Sequence, residues 1–267
     1  MSVLFTRRGK PPLGLPPIGT ALNDCTWDEI SKISNRGLGA DYFSVGDRKA
    51  VTLNSTVGSL SLSGTYYAYI IGIDHNSSVE GNGITFQFGF NTLSDGANIA
   101  FVDGNYGTKK TTGSLFNMNN SESNSGGWES SLMRTTICPA FKDCLPSELQ
   151  AVLKKVTKYT DNTGNGTLTA SCVTATEDDI FLLSEFEVRG SRNYANTTEQ
   201  NYQKQYTWYS AGNSKVMYKH DATTTAGYWW LRSVANNSGI FCCVTNTGGA
   251  SNATANYSYG FSPAFVI

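Results

Sequence analysis

Two rigid apolar anchors near the C-terminus constrain this chain more than anything before them. Tyr228-Trp229-Trp230-Leu231-Arg232-Ser233 opens the last forty residues, and Gly260-Phe261-Ser262-Pro263-Ala264-Phe265-Val266-Ile267 closes them. Adjacent Trp residues are the largest apolar payload in the chain and call for a core. The run of Asn, Ser, Thr, Ala, Gly and Tyr between the anchors cannot provide one. It suits a contact surface instead, because Tyr gives amphipathic area at low entropy cost while Ser, Asn and Gly adapt their hydrogen bonding.

The chain has 267 residues, enough for one large domain or two smaller ones, and only 15% of them are charged. Its polarity comes from uncharged side chains, a surface typical of particles and secreted proteins. A net charge of −1 lacks the positive field that a nucleic-acid or anionic-membrane binder needs. No run of eighteen apolar residues encodes a membrane span, so neither nucleic-acid binding nor membrane insertion is expected. Arg7-Arg8 is followed by Pro- and Gly-rich sequence, not by the apolar stretch of a signal peptide. A secreted-looking surface without an export signal fits a virion part or a cell-surface component; an ordinary cytosolic protein stays open.

Residues 1–24 read as a Pro- and Gly-rich arm. Thr26-Trp27-Asp28-Glu29 is a capping box opening a helix that stops near Gly37. Strands are expected at 42–45, 50–53, 66–73 and 84–90, the last with one buried face. Residues 105–127 read as a long loop anchored at 115–118, residues 128–133 as a short helix. Leu149, Val152, Leu153 and Val156 at helical spacing predict a firm helix over 146–158. A buried strand is expected at 180–183, extended or followed by 185–188, and an outward loop at 193–205. Strands and helices interleave without regular βα alternation, which makes the fold class α+β with high loop content.

Cys25, Cys138, Cys144, Cys172, Cys242 and Cys243 include no zinc-type pair, and most of them read as reduced, small apolar residues. His75 reads as a turn residue, since no second ligand stands at metal spacing. No motif for nucleophilic, zinc-dependent or phosphate-loop catalysis is present. No catalytic residue, metal site or cofactor is therefore expected. Asp103, Asp161, Asn162 and Asn165 offer loop oxygens, but nothing matches a twelve-residue calcium loop, and calcium stays unassigned.

An ordered set of motifs carries a resemblance. Gly46-Asp47-Arg48-Lys49, 70–75 (IIGIDH), 127–134 (GWESSLMR) and 145–149 (LPSEL) occur in sequence, followed by 180–185 (IFLLSE), 211–215 (AGNSK) and 228–233 (YWWLRS). Together they resemble a family of prophage and gut-bacterial proteins whose modules end in Trp-Trp-Leu-Arg-Ser and Gly-x-x-Pro-Ala/Gly-Phe elements. That family is similar to the C-type-lectin-like fold in the version shared with formylglycine-generating enzymes, which variable proteins of diversity-generating retroelements and phage tail receptor-binding proteins also use.

The resemblance implies a lectin-like domain over 25–267, with a β-rich N-terminal part at 25–105 and a variable ligand-binding segment at 234–259. It implies a non-enzymatic binding protein whose partner is a host-cell surface protein or glycan, tethered to virion or tail proteins by the N-terminal arm. Fibre-tip proteins are often trimeric, though no feature here demands a homo-oligomer. The ligand-contacting residues would be Asn236, Asn237, Ser238, Ile240, Cys242, Thr245, Asn246, Thr247, Ser251, Asn252, Thr254, Asn256, Tyr257 and Tyr259, with the two tyrosines as hot spots. Trp229, Trp230, Arg232, Phe261 and Phe265 would be scaffold. The alternatives are an oxidase of the formylglycine-generating type, for which Cys242-Cys243 invite comparison, and a structural virion protein with no receptor role.

Overall fold

The structure is a computed structural model and describes residues 19, 21–109 and 115–267. The expected arm at 1–24 and the middle of the expected loop at 105–127 thus fall largely outside the described residues. Strands in chain order are β1 (Arg48–Leu53), β2 (Thr56–Val57), β3 (Leu60–Ser61), β4 (Gly64–Ile73), β5 (Ile84–Phe90), β6 (Ile99–Ala100), β7 (Val156–Asp161) and β8 (Val173–Asp178). They continue with β9 (Ile180–Phe181), β10 (Met217–Lys219), β11 (Ala222–Gly227), β12 (Trp229–Val234), β13 (Ile240–Val244), β14 (Ala250–Thr254) and β15 (Ala264–Val266). Short helices and several small sheets make the class mixed α+β.

The core is organised by a five-stranded sheet of order β1-β4-β5-β15-β9. Helix α1 (Trp27–Asn35) lies against it, and its capping box forms as the sequence predicts: Thr26 Oγ1 accepts from the Glu29 N–H and Glu29 Oε2 accepts from the Thr26 N–H. Trp27 then meets Phe86 edge-on at 5.5 Å, and Phe265 stacks on Phe86 at 5.3 Å. β5 departs from expectation, because all seven of its residues are buried. Its polar face is covered too. Gln87 there accepts from the Tyr69 and Tyr209 hydroxyls and donates to Ser262 Oγ, so burial leaves that amide satisfied.

Several local expectations are corrected. Residues 42–45 form no strand; a one-turn helix α2 (Gly39–Tyr42) ends there instead. The expected helix at 146–158 shrinks to one turn (Ser147–Gln150), and Val156 opens β7. Val156, Thr157, Tyr159 and Thr160 favour a strand, and pairing along all of β8 overrides the helical spacing. Residues 128–130 are turn; the helix follows as a π-helical stretch (Met133–Ile137) continued by Cys138–Asp143. Ser184 caps a helix, Glu185–Arg189, where the sequence suggests strand, through a second capping box with Glu187. Residues 193–205 fold inward, because Asn196, Glu199 and Gln203 are buried donors and acceptors.

Candidate ligand-binding surface

The segment between the two anchors forms a three-stranded antiparallel sheet, β12-β13-β14. Its first strand is locked from both sides. Trp229 Nε1 donates to the Lys215 carbonyl at 2.9 Å and Trp230 Nε1 to the Phe116 carbonyl at 2.8 Å, and both indoles are fully buried. Phe261 stacks on Phe116 at 5.1 Å. Trp229, Trp230, Phe261 and Phe265 are all buried in the core.

Arg232 is the most heavily bonded side chain of this frame. It donates to Glu187 with both terminal nitrogens, to the Leu182 carbonyl at 2.8 Å and, through Nε, to Thr160 Oγ1 at 2.8 Å. Lys158 joins from β7, bonding Glu80 and the Tyr206 hydroxyl. Beside this cluster Glu199 accepts from Ser233 Oγ at 2.7 Å and from the Asp161 N–H at 3.1 Å. Complete burial outweighs those bonds and pushes Glu199 up to about 7. His75 stacks on Tyr206 at 3.8 Å, and burial, with Lys158 next, lowers it to about 4. This network is closed to solvent and works as a brace.

Three exposed groups remain. Asn236, Asn237 and Ser238 form the turn between β12 and β13. Thr245, Asn246 and Thr247 form the turn between β13 and β14, with the latter two exposed. Five residues of β13 separate the turns, which puts them at opposite ends of the sheet, about 17 Å apart at ~3.4 Å per residue. The expected site is thus not one patch within a single chain.

The third group is β14 with a half-buried tyrosine row. Ser251, Asn252 and Thr254 are partly exposed along the strand. Tyr257 stacks on Tyr259 at 5.4 Å, and Tyr259 on Tyr228 at 5.2 Å. Tyr106 completes the row 5.9 Å from Tyr259, under the Lys219 ammonium. Tyr106 and Tyr228 escape a reading of the sequence alone. One sits in the expected loop and the other inside the anchor motif, and only the fold brings them beside Tyr257.

Two expected contact residues are corrected. Cys242 is fully buried and Asn256 nearly so, because both faces of β13 are covered and the 255–258 turn folds under the sheet. Ile240 is half-buried against the core, which removes any need for a partner to cover it. The adjacent thiols point to opposite faces, and burial raises both, Cys243 to about 12. The loop oxygens of Asp161 and Asp103 are engaged by protein donors: Thr163 N, Gly164 N and Asn196 Nδ2 for the first, Asn105 N, Leu115 N and Ser258 Oγ for the second.

Residues 102–267 match a family described as a domain of unknown function, DUF6273. The chain belongs to the DUF6273 family. No curated protein and no solved structure matches it. The DUF6273 segment contains Arg232, Glu187, Lys158, Glu199 and the displayed sheet, while Glu80 and His75 of the same network precede it. Its β15 and β9 complete the central sheet, whose other three strands come from residues 48–90.

Proposed function

We propose that this DUF6273 chain is a non-enzymatic ligand-binding protein, a receptor-binding component of a phage or prophage tail, with a lectin-like scaffold that displays a diversified C-terminal surface. What carries the reading is the division of labour between the anchors. Trp229, Trp230 and Arg232 are sealed in the core, while Asn236, Asn237, Ser238, Asn246 and Thr247 stand exposed on turns. Substitution at such turns costs little stability, commonly within about ±0.5 kcal/mol, so specificity can change while the fold stays fixed. The motif order described above supports the scaffold assignment and the diversification mechanism.

Sequencing many copies of the gene from one population tests this. Changes should concentrate in codons 234–259 at adenine positions, fall on exposed residues and spare Trp229, Trp230 and Arg232. An even spread of changes along the gene would remove the diversification reading.

A further inference from the structure

β14 is the edge strand of its sheet, and among the described residues no strand pairs with its outer side. The ladder phase follows from two bonds flanking the β13–β14 pair: the Thr245 N–H donates to the Gly249 carbonyl and the Ala255 N–H to the Gly239 carbonyl. Antiparallel ladders alternate, so Ser251 and Ala253 bond inward to β13, while Ala250, Asn252 and Thr254 point their backbone groups outward. Among the described residues none accepts from those three N–H groups. The Asn252 carbonyl receives only a long 3.5 Å contact from Ser251 Oγ, and the Thr254 carbonyl a turn bond from Tyr257 N.

Open edges are normally blunted by Lys, Pro or a bulge. This one carries none. The sequence Ala250-Ser251-Asn252-Ala253-Thr254 pairs with β13 without irregularity, and no charged residue follows Arg232 to the end of the chain. The strand is also suited to meet itself. In an antiparallel pairing centred on Asn252, Ala250 faces Thr254, Ser251 faces Ala253 and Asn252 faces its own copy. Every facing pair is small and uncharged, and the outward N–H and C=O groups are in phase to bond.

We propose that β14 pairs with β14 of a second copy across a two-fold axis at Asn252, joining two three-stranded sheets into one of six strands. A seam of five residues is small beside the ~800 Å² per partner of a standard interface, so the dimer forms with rising concentration. Its geometry has a consequence for the displayed residues. Because the copies run antiparallel, the 236–238 turn of one chain lies on the same rim as the 245–247 turn of its partner, about three strand spacings away, or roughly 14 Å. Two clusters that one chain holds apart become one composite surface. The dimer itself does not depend on the receptor reading; only the use of that rim does.

Cysteine cross-linking of the full chain decides it. The six native cysteines are free and buried, so the unsubstituted protein gives the background. Under mild oxidation Asn252→Cys should form a covalent dimer in high yield, Thr254→Cys alone should not, and the double variant Ala250→Cys with Thr254→Cys should. Directly facing residues of a bonded pair have Cα atoms ~5.5 Å apart, within disulfide reach. Sedimentation equilibrium should show a dimer for the native chain and a monomer for Asn252→Lys, with matching circular dichroism. If Asn252→Lys fails to fold, the cysteine series alone decides. A monomer at every concentration, or equal cross-linking at 252 and 254, overturns the proposal and leaves the edge for an extended segment of another protein.

Discussion

The Arg232 guanidinium and the Glu187 carboxylate face each other where no water reaches, with Nη1 2.5 Å from Oε2 and Nη2 2.7 Å from Oε1. Burial alone would push Glu187 up; Arg232, then Lys158, reverse this and hold it at about 2. Removing one partner strands a buried charge, which typically costs about 3–5 kcal/mol. Glu187→Gln and Arg232→Met should therefore each lower the urea unfolding free energy by roughly that amount. A loss under about 1 kcal/mol would mean that the brace is not structural.

Two buried carboxyls give opposite pH dependences. Glu199 is raised to about 7 against the ordinary 4.5, so the folded state binds more protons than the unfolded chain between those values. Its contribution is complete below about pH 4.5 and is lost as pH rises through about 7. Glu187, held at about 2, contributes above about pH 4.5, and that is lost as pH falls through about 2. Unfolding measured from pH 4 to pH 8 should lose its downward slope between about 5 and 7 in Glu199→Gln. An unchanged slope in that variant would assign the titration to another group.

Stability should divide along the frame and the turns. Trp230→Ala empties the space under Tyr259 and removes one of the two bonds that the Phe116 carbonyl accepts, leaving the one from Tyr259 N–H, an expected cost of about 3–5 kcal/mol. Asn236→Ala, Asn237→Ala and Asn246→Ala should each stay within about ±0.5 kcal/mol. Thermal melts of the four variants side by side check this. Turn substitutions as damaging as Trp230→Ala would remove the basis for a tolerant display segment.

Gly127 holds a φ of +53°, and a Cβ there would lie 2.0 Å from the Asp161 carbonyl oxygen. Both the left-handed backbone and the close approach require glycine. Gly127→Ala should prevent folding or lower the melting temperature by more than ten degrees, whereas Gly212→Ala, with open space around its Cβ, should cost only its φ strain. Comparable melting temperatures for the two would contradict the tight contact.

The frame was more legible in the sequence than the site. Two adjacent Trp residues and Arg232 announce a buried element because nothing else could accommodate them, and Thr26-x-x-Glu29 announces its helix because the reciprocal bonds are local. Glu185–Arg189 shows the limit. Its capping box, Ser184 to Glu187, was present in the sequence, but the apolar run before it suggested a continuing strand. Leu149 to Val156 misled for a non-local reason, since only β8 decides that Val156 is extended. The tyrosine row was invisible because Tyr106 and Tyr259 are 5.9 Å apart in space and far apart in sequence. Exposure of the turns could be guessed from composition; their separation to opposite sheet ends could not.

β15 enters the central sheet between β5 and β9, strands that are bonded to it and not to each other. During synthesis β5, with its Phe86, Phe88 and Phe90, therefore waits with one apolar edge unpaired until residues 264–266 arrive. Such a sheet closes late, through contacts remote in sequence, which slows folding and exposes an aggregation-prone edge meanwhile. The displayed turns are thus made just before the strand that completes the core, and a defect in β15 should appear as insoluble protein before it appears as altered binding.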